Sequence, residues 1–99
     1  MAWAYLIVFN QKFASREQVQ AALSQIQEVT YWYACLPYCV FATSTLTADA
    51  LAKALETKFN ISQGERFLVT EIAKDRQGRL PKAAWHLFRN PENPKLPGQ

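Results

Sequence analysis

The chain is poor in the residues that build most catalytic and cofactor sites. Its 99 residues include three glycines, two cysteines and one histidine. So few glycines exclude a glycine-rich phosphate-binding loop, which needs several of them close together. Two cysteines and one distant histidine fall short of the four ligands of a structural zinc site. We therefore expect no metal ion and no cofactor.

Long apolar runs are also missing. No segment approaches the roughly 20 apolar residues that a membrane-spanning helix requires. The apolar stretch that ends at Phe9 has no Lys or Arg ahead of it, so it does not have the pattern of a signal peptide. We expect a soluble, cytoplasmic protein without a membrane partner.

The length and composition fit one small domain. Ninety-nine residues can build a two-layer core, and 49% of them are apolar. We assign residues 1–89 to a single domain. Residues 90–99 are predicted to form a flexible tail, because Pro91, Pro94 and Pro97 disfavour both helix and central strand.

Positive charge is concentrated in the last quarter of the chain. From residue 74 onward there are six basic and two acidic residues, against five basic and six acidic residues before it. Four of these cations surround one predicted turn just ahead of a helix start: Lys74, Arg76, Arg79 and Lys82. Cations and free helix N–H groups suit phosphate oxygens, so this turn is the candidate nucleic-acid-binding site. The alternative interpretation is a solvated charged turn without a ligand.

Hydrophobic periodicity and capping residues predict the order strand, helix, strand, strand, helix, strand, followed by a short helix. Ser15, with Gln18 three residues later, and Thr47 are the predicted helix N-caps. Pro37 cannot donate a ladder hydrogen bond and is placed at the bend of a hairpin. The predicted strands are 3–9, 29–35, 38–43 and 66–73, and the predicted helices are 16–27, a segment starting after Thr47, and 81–88.

This order predicts an α+β fold, a ferredoxin-like βαββαβ sandwich. Its four-stranded antiparallel sheet would have the order 4-1-3-2, with two helices on one face and the short C-terminal helix beyond. The other face of the sheet would then be open. Aromatic residues cluster on the hairpin, and some of them must point to that face. We predict a homodimer whose interface includes Tyr31, Trp32, Tyr33, Tyr38 and Phe41.

The segment WYACLPYCVFATSTLTADAL, which begins at Trp32, resembles small bacterial proteins of the SinR-like type. These are ferredoxin-like relatives of the second CRISPR-associated protein family. The similarity includes Trp32 with Leu36 four residues later, the run Leu46-Thr47-Ala48, and the strand RFLVTEIA, and it extends over residues 3–73. The resemblance implies a dimeric ferredoxin-like protein.

Nuclease members of that CRISPR-associated family carry an acidic residue at the end of the first strand, where a dimer-related pair holds a divalent ion. This chain has Phe9-Asn10 at that position. A neutral amide lacks the charge that makes a carboxylate a good ligand for a hard cation. The metal-dependent nuclease is therefore a disfavoured alternative.

The remaining reactive side chains do not define a catalytic site. Cys35 and Cys39 flank the predicted hairpin bend, and we consider reduced core thiols a better interpretation than a disulfide across it. His86 has no neighbouring nucleophile or carboxylate in the sequence. The sequence therefore favours a non-catalytic interaction or structural protein. Nucleic-acid binding is the first alternative.

Overall fold

The computed structural model describes residues 1–59 and 64–97. Within them the chain forms four strands and three helices. In chain order these are β1 (Trp3–Phe9), α1 (Arg16–Ser24), β2 (Val29–Leu36), β3 (Cys39–Ser44), α2 (Ala48–Glu56), β4 (Phe67–Glu71) and α3 (Lys82–Arg89). No helix in this part of the chain has the length and apolar character needed to span a membrane.

The four strands form one antiparallel sheet with the order β2-β3-β1-β4. The apolar strand β1 lies between β3 and β4, and Ile7 at its centre pairs with Val40 on one side and Val69 on the other. Its uninterrupted run of apolar residues suits this position because both faces of the strand are covered over most of its length, up to the exposed Val8. The mixed α+β class and the antiparallel four-stranded sheet are confirmed.

Both predicted N-caps are present. The Ser15 hydroxyl accepts a hydrogen bond from the backbone N–H of Gln18, and the Gln18 side chain accepts one from the N–H of Ser15, which completes a capping box. The Thr47 hydroxyl accepts from the N–H of Ala50. α1 is shorter than predicted, however, because the chain leaves the helix at Gln25 while Ile26 remains buried in the following turn.

α1 and α2 cover the first face of the sheet. Every second residue of β1 and β3 points to this face. These residues pack against the apolar sides of both helices in a single buried cluster. Its members include Tyr5, Ile7, Phe9, Val40 and Ala42 from the strands and Val19, Leu23, Leu51 and Leu55 from the helices. This is the larger core of the molecule.

The second face of the sheet is not open, as the sequence suggested, because α3 packs on it. Ala84, Leu87 and Phe88 of α3 form a second buried cluster with Ala4 and Phe41 of the sheet. The prediction of an open aromatic face was therefore wrong over this region. α3 carries its apolar residues on one side, and burying that side requires a sheet face to receive it.

Part of the second face is uncovered toward one end of the described sheet. Val8 of β1 and Leu68 of β4 are cross-strand neighbours there, and their side chains are 39% and 59% exposed. Leu36 and Tyr38, at the tip of the β2–β3 hairpin, are exposed at the same end. We call these four residues the apolar end of the sheet.

Two irregularities in β2 determine which of its side chains face α3. The pairing of β2 with β3 shifts register between Val29 and Tyr31 and again between Tyr33 and Leu36. The first shift leaves Val29 and Trp32 on the first face, while Tyr31 and Tyr33 pack against the α3 cluster. The second lies beside the turn at Pro37 and Tyr38, where neither residue has a positive φ. Two-residue hairpin turns that match the twist of the strands need a residue with positive φ, which this turn does not have. The bulge supplies the extra twist instead.

Candidate nucleic-acid interface

The basic segment between β4 and α3 forms one wall of a surface cleft, and α3 forms the other. The cleft has a volume of about 400 Å³ and is lined by Lys74, Arg76, Gln77, Gly78, Trp85 and Arg89. We call it the cationic cleft. Among its lining residues there are three cations and no carboxylate.

The structure brings together only part of the predicted nucleic-acid site. Lys74 and Arg76 line the cleft, whereas Arg79 and Lys82 are exposed and do not. Arg89 lines the cleft but was not among the predicted site residues. The sequence did carry a signal for it, because Arg89 follows Trp85 by four residues on α3, and residues at that spacing lie on the same side of a helix.

Arg76 is held in place at the wall of the cleft. Its Nη1 donates a hydrogen bond to the carbonyl oxygen of Ala73 at 2.8 Å, and its Cζ lies 5.6 Å from the centroid of the Phe88 ring. The carbonyl and the ring face both attract the guanidinium without neutralising it. Arg76 therefore keeps its full charge and several free donors while its position is restricted.

Aromatic residues anchor α3 beneath this guanidinium. Phe88 makes an edge-on contact with Phe41 of the sheet, with ring centroids 4.9 Å apart, and a second one with Trp85, at 5.5 Å. Phe41 and Phe88 are buried, whereas Trp85 is half-buried and lines the cleft. The row of rings thus connects the core of the second face to the wall of the cleft.

In the part of the chain that the structure describes, the cations of the cleft are not ion-paired. No ion pair within the described residues involves Lys74, Arg76 or Arg89. Glu71 lies with all three around an adjoining cleft of about 350 Å³, but it is not within ion-pair distance of them. Glu92 instead accepts a hydrogen bond from the backbone N–H of Ala2. The positive charge of the cleft is therefore offset only in part, by Glu71 and by Asp75, which lies between Lys74 and Arg76 in the sequence.

α3 begins close to this basic segment with an unsupported N-terminus. Pro81, predicted as the first helical residue, is the N-cap, and it offers no side-chain hydrogen bond to the first turn. The backbone N–H groups of Ala84 and Trp85 both turn toward the carbonyl of Pro81. Lys82 and Arg79 remain the cations nearest to this helix start in the sequence, and their involvement in binding stays a prediction.

The predicted interface aromatics do not form one surface. Phe41 is 5% exposed beneath α3, and Tyr31 and Tyr33 pack against the same cluster. Trp32 lies on the opposite face, where its Nε1 donates to the hydroxyl of Ser24 at 2.9 Å. Tyr38 is exposed at the hairpin tip and accepts a hydrogen bond from Gln11. The five residues therefore do not form a single partner surface, and the prediction was wrong in grouping them.

Asn10 has a structural use in this chain. Its Nδ2 donates to the carbonyl oxygen of Gly64 at 2.8 Å, and its Oδ1 accepts from the backbone N–H groups of Phe13 and Arg66 at 3.0 and 3.1 Å. The amide thus connects the end of β1 to the loop before α1 and to the entry of β4. One of these bonds needs a donor, which an ionised carboxylate does not have.

Cys35 and Cys39 are free thiols. Cys39 is buried and Cys35 half-buried. Burial raises the pKa of both thiols above the ordinary value, the proximity of Cys35 raises the pKa of Cys39 further, and Arg16 partly offsets these effects. Both cysteines are therefore protonated at neutral pH, which makes them poor nucleophiles.

His86 makes hydrogen bonds at the C-terminal end of α3. Among the described residues, its hydrogen-bond partners include no nucleophile and no carboxylate. Its Nε2 lies 3.0 Å from the carbonyl oxygen of Asn93, and its Nδ1 lies 3.3 Å from the amide nitrogen of Asn90. These bonds, with the one that the Ala2 N–H donates to Glu92, attach residues 90–93 to the domain. Flexibility of residues 94–97 stays a prediction, and Gly98 and Gln99 lie outside the described residues.

A scan against protein-family models, a search of curated proteins and a search of solved structures each find no match to this chain. In the described part of the chain, His, Cys, Asp and Glu side chains form no group of three or more that could hold a metal ion. A proposal about function therefore depends on the geometry of the chain's own residues, above all on the cationic cleft.

Proposed function

We propose that this chain is a non-catalytic, ferredoxin-like protein that binds nucleic acid through the cationic cleft. One observation carries the proposal: Lys74, Arg76 and Arg89 converge on one cleft together with Trp85, and among the described residues none of these cations forms an ion pair. The strand order β2-β3-β1-β4 and the two helices on the first face support the ferredoxin-like part of the proposal.

Electrostatics favour a polyanionic ligand over a single anion. Three cations from two different elements can contact successive phosphates, and each contact releases condensed counterions from the nucleic acid. For three contacts with a single strand, the slope of log K against log salt is expected to be about −2. A ligand with one charged group would show a much weaker salt dependence.

Binding can be tested by fluorescence anisotropy with labelled oligonucleotides over a range of salt concentrations. The double variant Lys74→Gln/Arg89→Gln should bind at least about ten times more weakly, with a salt slope reduced by about 0.7 per lost contact. Lys53→Gln/Lys58→Gln is the matched control. It removes the same charge from the region of α2, on the other side of the sheet, and should bind nearly as the wild type does. Absence of any binding at low salt would exclude the proposal.

The non-catalytic part of the proposal is supported by the role of Asn10, whose amide is engaged in three hydrogen bonds of the fold. Incubation of RNA and DNA with magnesium or manganese tests it directly. We expect intact substrates. Cleavage that disappears in the Asn10→Ala variant would instead support the nuclease alternative.

A second candidate function, self-association, is favoured by the apolar end of the sheet. Val8 and Leu68 are exposed cross-strand neighbours on a sheet face that α3 leaves uncovered at this end. We propose that a second copy of the chain covers them, since a two-fold interface places the same apolar residues against each other. The apolar end of the sheet replaces Phe41 as the proposed interface, because α3 already covers Phe41.

Sedimentation velocity at micromolar concentration tests the dimer. The wild type should sediment as a dimer, and Leu68→Glu, which places a charge in the apolar end, should sediment as a monomer. Ala21→Glu adds the same charge at an exposed position of α1 and should leave the dimer intact. A wild type that is purely monomeric would contradict this second candidate without affecting the first.

A further inference from the structure

We infer that Trp85 is a stacking platform for one unpaired base, so that the nucleic acid bound by the cationic cleft is single-stranded. The inference rests on the proposed nucleic-acid binding and specifies the class of ligand. Trp85 is half-buried, lines the cleft and lies on the same helix as the cation Arg89. A site with cations and an indole together can contact both the backbone and the bases of a strand.

The contact between Trp85 and Phe88 leaves at least one face of the indole uncovered by Phe88. Their ring planes meet at 83° with centroids 5.5 Å apart, so one ring presents its edge to the other. If Phe88 supplies the edge, it covers one face of the indole; if Trp85 supplies the edge, Phe88 covers neither face. In both cases at least one indole face is not covered by Phe88, and a flat base can stack on such a face.

The same contact restricts the orientation of the indole. Phe88 is buried and is itself packed edge-on against Phe41, so the ring that borders Trp85 belongs to the core. Arg76, above the Phe88 ring, is fixed by its bond to Ala73. Side chains that are already ordered lose little conformational entropy on binding, which favours affinity.

The size of the site and the cost of unstacking a base favour a single strand over a duplex. A volume of about 400 Å³ is near the lower limit of small-molecule pockets and fits about one nucleotide. In a duplex, both faces of an internal base are occupied by its neighbours, and exposing one requires unstacking that costs a few kcal/mol. An unpaired base meets no such cost.

The test compares three ligands of equal length: a single strand, the same strand with abasic sites throughout, and the corresponding duplex. Dissociation constants are measured at one fixed salt concentration for the wild type, Trp85→Leu and Trp85→Phe. The wild type should bind the base-bearing single strand on the order of 10-fold or more tightly than the abasic strand. Trp85→Leu should bind the two equally, because it keeps apolar volume but has no ring. Trp85→Phe should keep part of the preference.

The outcomes separate the stacking inference from the binding proposal. Equal affinity of the wild type for base-bearing and abasic strands, or a preference that survives in Trp85→Leu, would overturn the stacking inference while nucleic-acid binding stands. Duplex binding as tight as that of the single strand would overturn it as well. If none of the three ligands binds at low salt, the cationic cleft itself is not a nucleic-acid site and both fail. Thermal unfolding of each variant confirms that it is folded, and Trp85→Phe keeps the test valid if Trp85→Leu is unstable.

Discussion

Replacement of Asn10 by alanine removes a side chain that joins three segments of the chain. The amide donates to Gly64 and accepts from Phe13 and Arg66, with all three distances between 2.8 and 3.1 Å. A net hydrogen bond contributes about 0.5–1.5 kcal/mol to stability. The bond to Arg66 is exposed, so water can replace part of what is lost. We therefore expect Asn10→Ala to lower the free energy of unfolding by about 2 kcal/mol.

Asn10→Asp is the informative companion variant. Its carboxylate can still accept from the backbone N–H groups of Phe13 and Arg66, and charged acceptors form stronger bonds than neutral ones. It cannot donate to Gly64, and it places a charged oxygen near that carbonyl. The expected order of stability is wild type, then Asn10→Asp, then Asn10→Ala.

Urea unfolding followed by tryptophan fluorescence measures these differences, and thermal unfolding provides a second measurement. In a domain of this size, a loss of about 2 kcal/mol corresponds to a decrease in Tm of roughly 8–16 °C. Asn10→Ala within about 0.5 kcal/mol of the wild type would show that the three bonds do not hold the loops together. Asn10→Asp less stable than Asn10→Ala would refute the assignment of the two acceptor bonds.

Three further variants test the packing, the backbone and the thiols. Leu87→Ala should cost about 2–5 kcal/mol in urea unfolding, because the Leu87 side chain is fully buried between α3 and the sheet, and a loss below about 0.5 kcal/mol would contradict this packing. Gly64→Ala should cost about 1–2 kcal/mol because Gly64 has φ +93° and a Cβ there would meet the Lys12 side chain; Gly78→Ala, where a Cβ meets nothing within 4 Å, should be neutral. Burial raises the pKa of Cys39 in the folded state, so the contribution of this thiol to stability should be constant below about pH 8.5 and decrease as the pH rises toward the folded-state pKa. The decrease should be smaller in Cys39→Ala, and an unchanged pH profile would contradict the raised pKa.

The local elements were predictable because their signals lie within a few residues of one another. The N-caps Ser15 and Thr47 and the apolar run of β1 were all found where the sequence placed them. The C-terminal end of α1 was missed, since the apolar period continues through Ile26 although the helix stops at Ser24. Periodicity cannot distinguish a helical residue from a buried residue in the next turn.

The bulges in β2 show why the aromatic residues were harder to place. Strict alternation predicts a face for each residue from its neighbour, but a one-residue shift reverses every later assignment. Alternation from Val29 would put Tyr31 and Tyr33 on the first face, and the shift between Val29 and Tyr31 puts Trp32 there instead. Nothing in the local sequence marks it, because the insertion depends on how β2 pairs with β3.

By itself, the sequence determined the order of the strands and helices, the helix starts and the concentration of cations after residue 74, since each depends on neighbouring residues. Only the tertiary structure decided that α3 closes most of the second sheet face and brings Arg89 and Trp85 beside Lys74 and Arg76. It also decided that Asn10 holds loops together. The reason is physical: these features arise from contacts between residues that are far apart in the chain, and such contacts exist only once the apolar side of α3 is buried against the sheet.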